Sequence, residues 1–188
     1  MPTEATLAGD TLIGRIWHEL ERATRERDHA WRTPVLATVG SDHTPQARTV
    51  VLRGADQQRG ELRVFTDGRS PKVAELRASL QAVLVFWSAP LNWQLRVRVA
   101  MQVLDSGAEV AAAWERIARS AAACDYLAPA APGQPLPGSE AQADAPGDAH
   151  HLTVLVAQVL AIDWLALGRD GPHQRRRITP GGVEHLVP

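Results

Sequence analysis

Leu95, Val97, Val99, Met101 and Val103 alternate without a break with Arg96, Arg98, Ala100 and Gln102. A period of two sustained this far demands a strand with one buried and one wetter face. Similar runs precede it: Val35–Val39, then Gln46 to Arg53 after the turn Gly40-Ser41-Asp42-His43-Thr44-Pro45, then Glu61 to Thr66 after a polar turn from Gly54 to Gly60. Ala82–Trp87 reads as a heavily buried fourth strand. The early connections are short, which favours antiparallel hairpins, and the crossovers of a doubly wound fold are missing. The fold class is therefore mainly β with flanking helices, a barrel or strongly curled sheet.

Helices fall between and around these strands. Asp10 or Thr11 can cap a first helix whose Ile13, Ile16, Trp17 and Leu20 share one face, with Trp17 as a packing residue. Ser70 can cap a short helix to about Ala78 with Pro71 at its first position. Ser106 to Arg119 returns to helical spacing. Leu127 to Gly147 holds Pro129, Pro132, Pro135, Pro137 and Pro146 and reads as a long loop. Strands resume at Leu152 and run to about Leu167, then around Arg175 to Ile178 and Val183 to Leu186. At 188 residues the chain fits one domain, 1–188.

A net charge of −1 supplies no field for nucleic acid or an anionic membrane surface, so anion binding falls to local clusters. The lone Cys124 excludes an internal disulfide and a multi-cysteine zinc site, and the seven histidines lack metal spacing. The opening residues lack a signal-peptide pattern, which predicts a cytoplasmic protein.

Lys72 is the one lysine in a chain that otherwise uses arginine. It lies in the first turn of the helix after Ser70, where a cation opposes the helix dipole and a bound phosphate would reverse the sign. Three stretches combine cations with hydroxyl or small residues: Arg48 to Arg53, Phe65 to Lys72, and His173 to Arg177. Guanidinium forks and a lysine point charge suit a phosphorylated small molecule. Arg48 and Arg53 are an odd number apart, so a bulge or a wrapping ligand is needed to bring both to one molecule. Trp93 and Trp164 offer contact area for a flat body, or core packing. Glycine-rich dinucleotide, Walker and nucleophile-elbow motifs are absent from the sequence.

Four motifs occur in one order: Arg48-Thr49-Val50-Val51-Leu52-Arg53; Phe65-Thr66-Asp67-Gly68-Arg69-Ser70-Pro71-Lys72; Gln94 ahead of the alternating strand; and Ile162-Asp163-Trp164 followed by the basic run to Arg177. This order resembles the pyridoxamine 5′-phosphate oxidase-like FMN-binding split-barrel family, over about Pro34 to Val103 and again from Gln158 to Pro188. The resemblance implies a six-stranded antiparallel split barrel and a homodimer with FMN at its interface. It implies that Arg48 and Lys72 hold the FMN phosphate, with Thr66 and Ser70 nearby. The backbone of Val50 and Val51 would run along the flavin ring, and Thr49, Leu52 and Phe65 are further cofactor-binding candidates. Arg53 and Gln94 would sit near its polar edge, and Arg177 would reach it from the tail.

Ser70-Pro71-Lys72 stands where the oxidases carry Ser-Arg-Lys, with Arg69 as the substitute charge. Their substrate-phosphate tyrosine, arginine and serine, expected near Ala113 to Ala122, are not recognisable. His173 and Arg175 replace the tail Arg-x-His and are the substrate candidates. The resemblance therefore implies a divergent FMN oxidoreductase acting on a small molecule, with a non-catalytic flavin carrier or redox sensor as the alternative. A haem-handling or deazaflavin-dependent relative is a third reading.

Overall fold

The computed structural model describes residues 4–135, 149–168 and 171–188, the side chains of residues 4–10 excepted. Four α-helices, Glu4–Arg25 (α1), Pro71–Ala78 (α2), Ala108–Ile117 (α3) and the single turn Cys124–Leu127 (α4), flank one antiparallel sheet. Its strands are Val35–Val39 (β1), Pro45–Thr49 (β2), Leu52–Asp56 (β3), Glu61–Asp67 (β4), Gln81–Ser88 (β5), Trp93–Leu104 (β6), Leu152–Ala166 (β7), Gln174–Thr179 (β8) and Gly182–Leu186 (β9).

The strand order β2-β1-β5-β6-β7-β4-β3 puts β2 and β3 at opposite ends of the path, yet only Val50 and Val51 separate them in sequence. The sheet must therefore curl until its two edges nearly meet, without hydrogen bonding across the seam. That is a split barrel. The expected single strand from Gln46 to Arg53 is thus two strands, broken at Val50 and Val51, which lie outside both ladders. Val50 is held at the crossing by its N–H donating to the Pro34 carbonyl at 2.9 Å. A bulge follows between Leu52 and Gly54. This split and the β8–β9 hairpin, which hangs from β7, raise the expected six strands to nine segments.

The alternation that opened the sequence reading holds: Leu95, Val97, Val99 and Met101 are buried and Arg96, Arg98 and Gln102 exposed. Inward residues Leu36, Leu52, Leu62, Val64 and Leu84 join them in one core. Each such side chain contributes roughly 1.5–3 kcal/mol by leaving water. α1 covers this core with Ile16, Trp17, Leu20 and Ala23. The helix begins at Glu4, so Asp10 and Thr11 lie inside it and do not cap it; the Glu-Ala-Thr-Leu-Ala run carries enough helix propensity to extend the end. Trp93 and Trp164 are both buried, 5.3 Å apart and edge-to-face, so they are core residues and not ligand contacts.

A smaller core forms where Val110, Ala113 and Ile117 of α3 meet Tyr126 and Leu152, Val154 and Val156 of β7. β3 continues to Asp56, past the expected turn start at Gly54, and the turn closes at Gly60 with a φ of 65°. Residues 128–135 form turns, and residues 136–147 of the expected loop lie outside the described residues. Among the described residues no helix is long and apolar enough to cross a membrane.

Candidate functional site

Lys72 is in the first turn of α2, and its Nζ donates to Thr66 Oγ1 of β4 at 3.1 Å. Thr66 Oγ1 also lies 3.4 Å from Ser70 Oγ, and both hydroxyl residues are buried. Ser70 occupies the expected N-cap position with extended backbone, but its side chain makes no capping hydrogen bond. The helix end is left to other partners. Gly68 lets the preceding turn press onto β7: its N–H donates to the His151 carbonyl at 2.8 Å, and a methyl there would strike the Thr153 hydroxyl.

Arg48 enters the same cluster from β2. It is paired across the hairpin with Leu36 and so shares the inward face with Leu36 and Thr38. One Nη donates to Thr38 Oγ1 and the other to Glu75 Oε2 at 2.8 Å, with Glu75 supplied by α2. Thr38 Oγ1 donates to the same carboxylate oxygen at 2.5 Å. Burial pushes the Lys72 ammonium below its ordinary pKa, the nearby Arg48 charge pushes it further, and Asp67 and Glu75 pull the other way. Two cations 24 residues apart in sequence are therefore close enough to repel in a half-buried setting. An anion between them relieves both burial and repulsion.

Arg69 does not join this cluster. Its guanidinium binds Asp67 through two hydrogen bonds, of 3.1 and 2.6 Å, and donates to the carbonyls of Ala128 and Pro129 at 2.8 and 2.9 Å. The charge substituting for the missing Arg of Ser-Arg-Lys is engaged in fastening the 128–130 segment. Asp67 is held below the ordinary carboxylate range by Arg69, against the cost of its burial.

Arg53 goes elsewhere too. The bulge turns it to the α3 side, where its charge acts on the Tyr126 hydroxyl, while its buried Nε has no protein partner. Burial raises the Tyr126 hydroxyl pKa, and Arg53 lowers it. A cavity of about 400 Å³ opens here, lined by Arg27, Arg53, Phe65, Arg116 and Ser120 among others, with no carboxylate in its wall among the described residues. Arg116 and Ser120 fall within the stretch where an arginine and a serine were sought and not recognised. Arg116 stands in the last turn of α3 and Ser120 is an extended residue beyond its end, so no helical repeat links them in sequence.

Thr49 is exposed, Val50 and Leu52 are buried, and Val51 is half-buried at the seam. Gln94 and Arg177 lie on the outer sheet face, opposite the inward face of Arg48 and Thr66. Arg177 donates to Glu184 at 3.2 Å in the open. Arg175 makes two hydrogen bonds to Asp163, at 2.9 and 2.7 Å, and His173 Nδ1 accepts from the Gly168 N–H at 3.1 Å. One protomer thus brings together Arg48, Thr66, Ser70 and Lys72, and leaves Gln94, His173, Arg175 and Arg177 on its outside. Among the described residues no group of three or more histidine, cysteine or acidic side chains is placed to hold a metal.

Comparison with known proteins bears on the fold that carries these residues. A model of the pyridoxamine 5'-phosphate oxidase FMN-binding domain matches residues 15–105. The chain is 50% identical over 62 residues to the pyridoxine/pyridoxamine 5'-phosphate oxidase of Thermosynechococcus vestitus, covering 33% of this chain and 28% of that protein. To the enzyme of the same name from Microcystis aeruginosa it is 36% identical over 92 residues, 49% of this chain and 41% of the other. The aligned segments thus span less than half the length of these relatives. A pyridoxamine 5'-phosphate oxidase-related FMN-binding protein from Nostoc punctiforme superposes with a TM-score of 0.75 at 24% identity, over 93% of this chain and 96% of that one. PhzG from Burkholderia lata, solved with tetrahydrophenazine-1-carboxylic acid, gives 0.71 at 20% identity, over 95% and 91%. These two likenesses establish the fold.

Proposed function

Because this chain belongs, through residues 15–105, to the pyridoxamine 5'-phosphate oxidase FMN-binding family, we propose that it is an FMN-dependent oxidoreductase acting on a small anionic molecule. The observation that carries the reading is the half-buried meeting of Arg48 and Lys72 beside the hydroxyls of Thr66 and Ser70. The residues fit a terminal phosphate: two cations, two hydroxyls and an uncapped helix start converge, and a phosphate relieves the strain on Lys72. FMN bound there would supply the redox chemistry, hydride acceptance from a donor and electron transfer to oxygen or another acceptor. The chain's own residues bind and orient. Arg48 and Lys72 anchor the phosphate, and the Val50–Val51 crossing offers backbone beside the ring.

The donor's place is the α3-side cavity. Arg27, Arg53 and Arg116, with the Ser120 hydroxyl, form a cationic wall for a phosphate or carboxylate on the donor. We further propose a homodimer. Gln94, Arg175 and Arg177 share an outer sheet face with the exposed Trp87 and Val39, and a second copy packed on that face would carry them to the first copy's flavin. His173 would approach the donor from the same hairpin.

Two measurements test the reading. Purified protein should be yellow or take up FMN on titration; a colourless protein that ignores FMN would end it. Stopped-flow mixing with pyridoxamine phosphate and with nicotinamide nucleotides should bleach the bound flavin with at least one donor. Tight FMN uptake without reduction by either identifies a carrier or sensor.

A further inference from the structure

We infer that Glu75 is a fixed counter-charge that limits how tightly the nest holds a phosphate monoester, keeping the flavin exchangeable; the inference rests on the FMN reading above. Glu75 lies three residues after Lys72 on α2, the spacing that sets two side chains on one helix face. Its Oε2 takes both Thr38 Oγ1 and an Arg48 Nη, so the carboxylate sits inside the cation cluster and not at its rim. Glu75 is more buried than Arg48, at 12% against 23% side-chain exposure.

The charge count follows from the pairing. Asp67 is matched by Arg69, which leaves Arg48 and Lys72 against Glu75. The nest is positive by one charge, whereas a phosphate monoester carries about −1.5 to −2 near neutral pH. Binding FMN therefore sets a phosphate beside an anion that Thr38 and Arg48 hold in the cluster, in a region where water screens poorly. Glu75 does not use up Arg48. A guanidinium has five N–H groups, and only two are engaged by Thr38 and Glu75. What the carboxylate adds, beyond hydrogen bonds that an amide oxygen would equally accept, is negative charge. Glutamine has the same length and keeps an acceptor oxygen, so Glu75→Gln isolates that charge.

The experiment is a fluorescence titration of wild type, Glu75→Gln and Glu75→Ala with FMN and with riboflavin, which lacks the phosphate. Glu75→Gln should tighten FMN about tenfold or more, since like charges brought together cost several kcal/mol, and should leave riboflavin unchanged. Glu75→Ala removes the charge by another route and should move FMN in the same direction. Weaker FMN binding in both variants would make Glu75 a positioning residue for Arg48 and overturn the inference. An equal change for FMN and riboflavin would also overturn it, as an effect of folding. Wild type that binds FMN with Glu75→Gln no different sinks this inference alone. Wild type that takes no FMN sinks the FMN reading with it.

Discussion

The nest around Lys72 and the strand from Gln174 to Thr179 look alike as charge and behave oppositely as structure. On β8 the two outward arginines find carboxylates, Arg175 meeting Asp163 and Arg177 meeting Glu184, while Arg176 lies over the Trp164 ring at 5.7 Å with its buried Nε unpartnered. Alternation along the strand sends Arg176 to the face opposite Arg175 and Arg177, and the Asp163 and Glu184 carboxylates offset the two that share a face. In the nest, two cations from different elements are forced together and half-buried, with one carboxylate between them. A satisfied charge is part of the scaffold, whereas a crowded one is waiting for a ligand.

The contrast breaks most sharply on Lys72→Ala. FMN affinity should fall by roughly 1.5–3 kcal/mol, the range for hydrogen bonds to charged groups, while riboflavin binding and thermal stability hold. Unchanged FMN affinity would put Lys72 in the same class as the β8 arginines.

Alkaline titration sharpens the same point. Lys72 in the free protein titrates below its ordinary 10.5 because burial and Arg48 favour the neutral amine. FMN affinity should be full below that depressed pKa and decline as pH rises through it, and Lys72→Ala should flatten the profile. Stability of the free protein should move the other way, rising with pH in that window, since the unfolded lysine binds the extra proton.

On the β8 side the expected effects are on folding. Arg175 hydrogen-bonds Asp163 and holds its carboxyl below the ordinary 3.8, so that contribution to stability is present above the ordinary carboxylate range and lost as pH falls through the depressed value. Asp163→Asn should cost about 1 kcal/mol in urea unfolding at neutral pH, as expected for a partly screened pair. The acid limb of the wild-type stability curve should flatten with it. Arg177→Ala should be the smallest, within about 0.5 kcal/mol, because its pair with Glu184 is open to solvent. A larger loss would mean that the outer face is already covered by a second chain.

Much of this was legible in the sequence because it was written in short-range pattern. The period-two run of β6 gave its inward and outward faces, and Phe65-Thr66 through Lys72 gave a strand ending in a helix start. Arg48 and Lys72 were read as partners, and the fold brings both to the α2 side of the sheet. Arg69, read as a substitute charge, is engaged by Asp67 and by the carbonyls of residues 128–130, groups about sixty residues away that the local motif does not show. Arg116 and Ser120 were passed over because a cavity wall built by α1, β3 and α3 has no signature on any one of them. Glu75, read only as part of a helix, acquired its place when that helix docked against β1 and β2.

By itself the sequence determined which residues face inward on each strand, where helices start, and that charge would be local and not global. These follow from backbone periodicity and side-chain polarity, which act within a few residues. Only the tertiary structure decided which charges meet. The two-residue crossing at Val50–Val51 sends Arg48 to the α2 side and, with the bulge, Arg53 to the α3 side, splitting one basic strand between two sites. Coulomb energy depends on distance in space, and the curl of the sheet sets those distances.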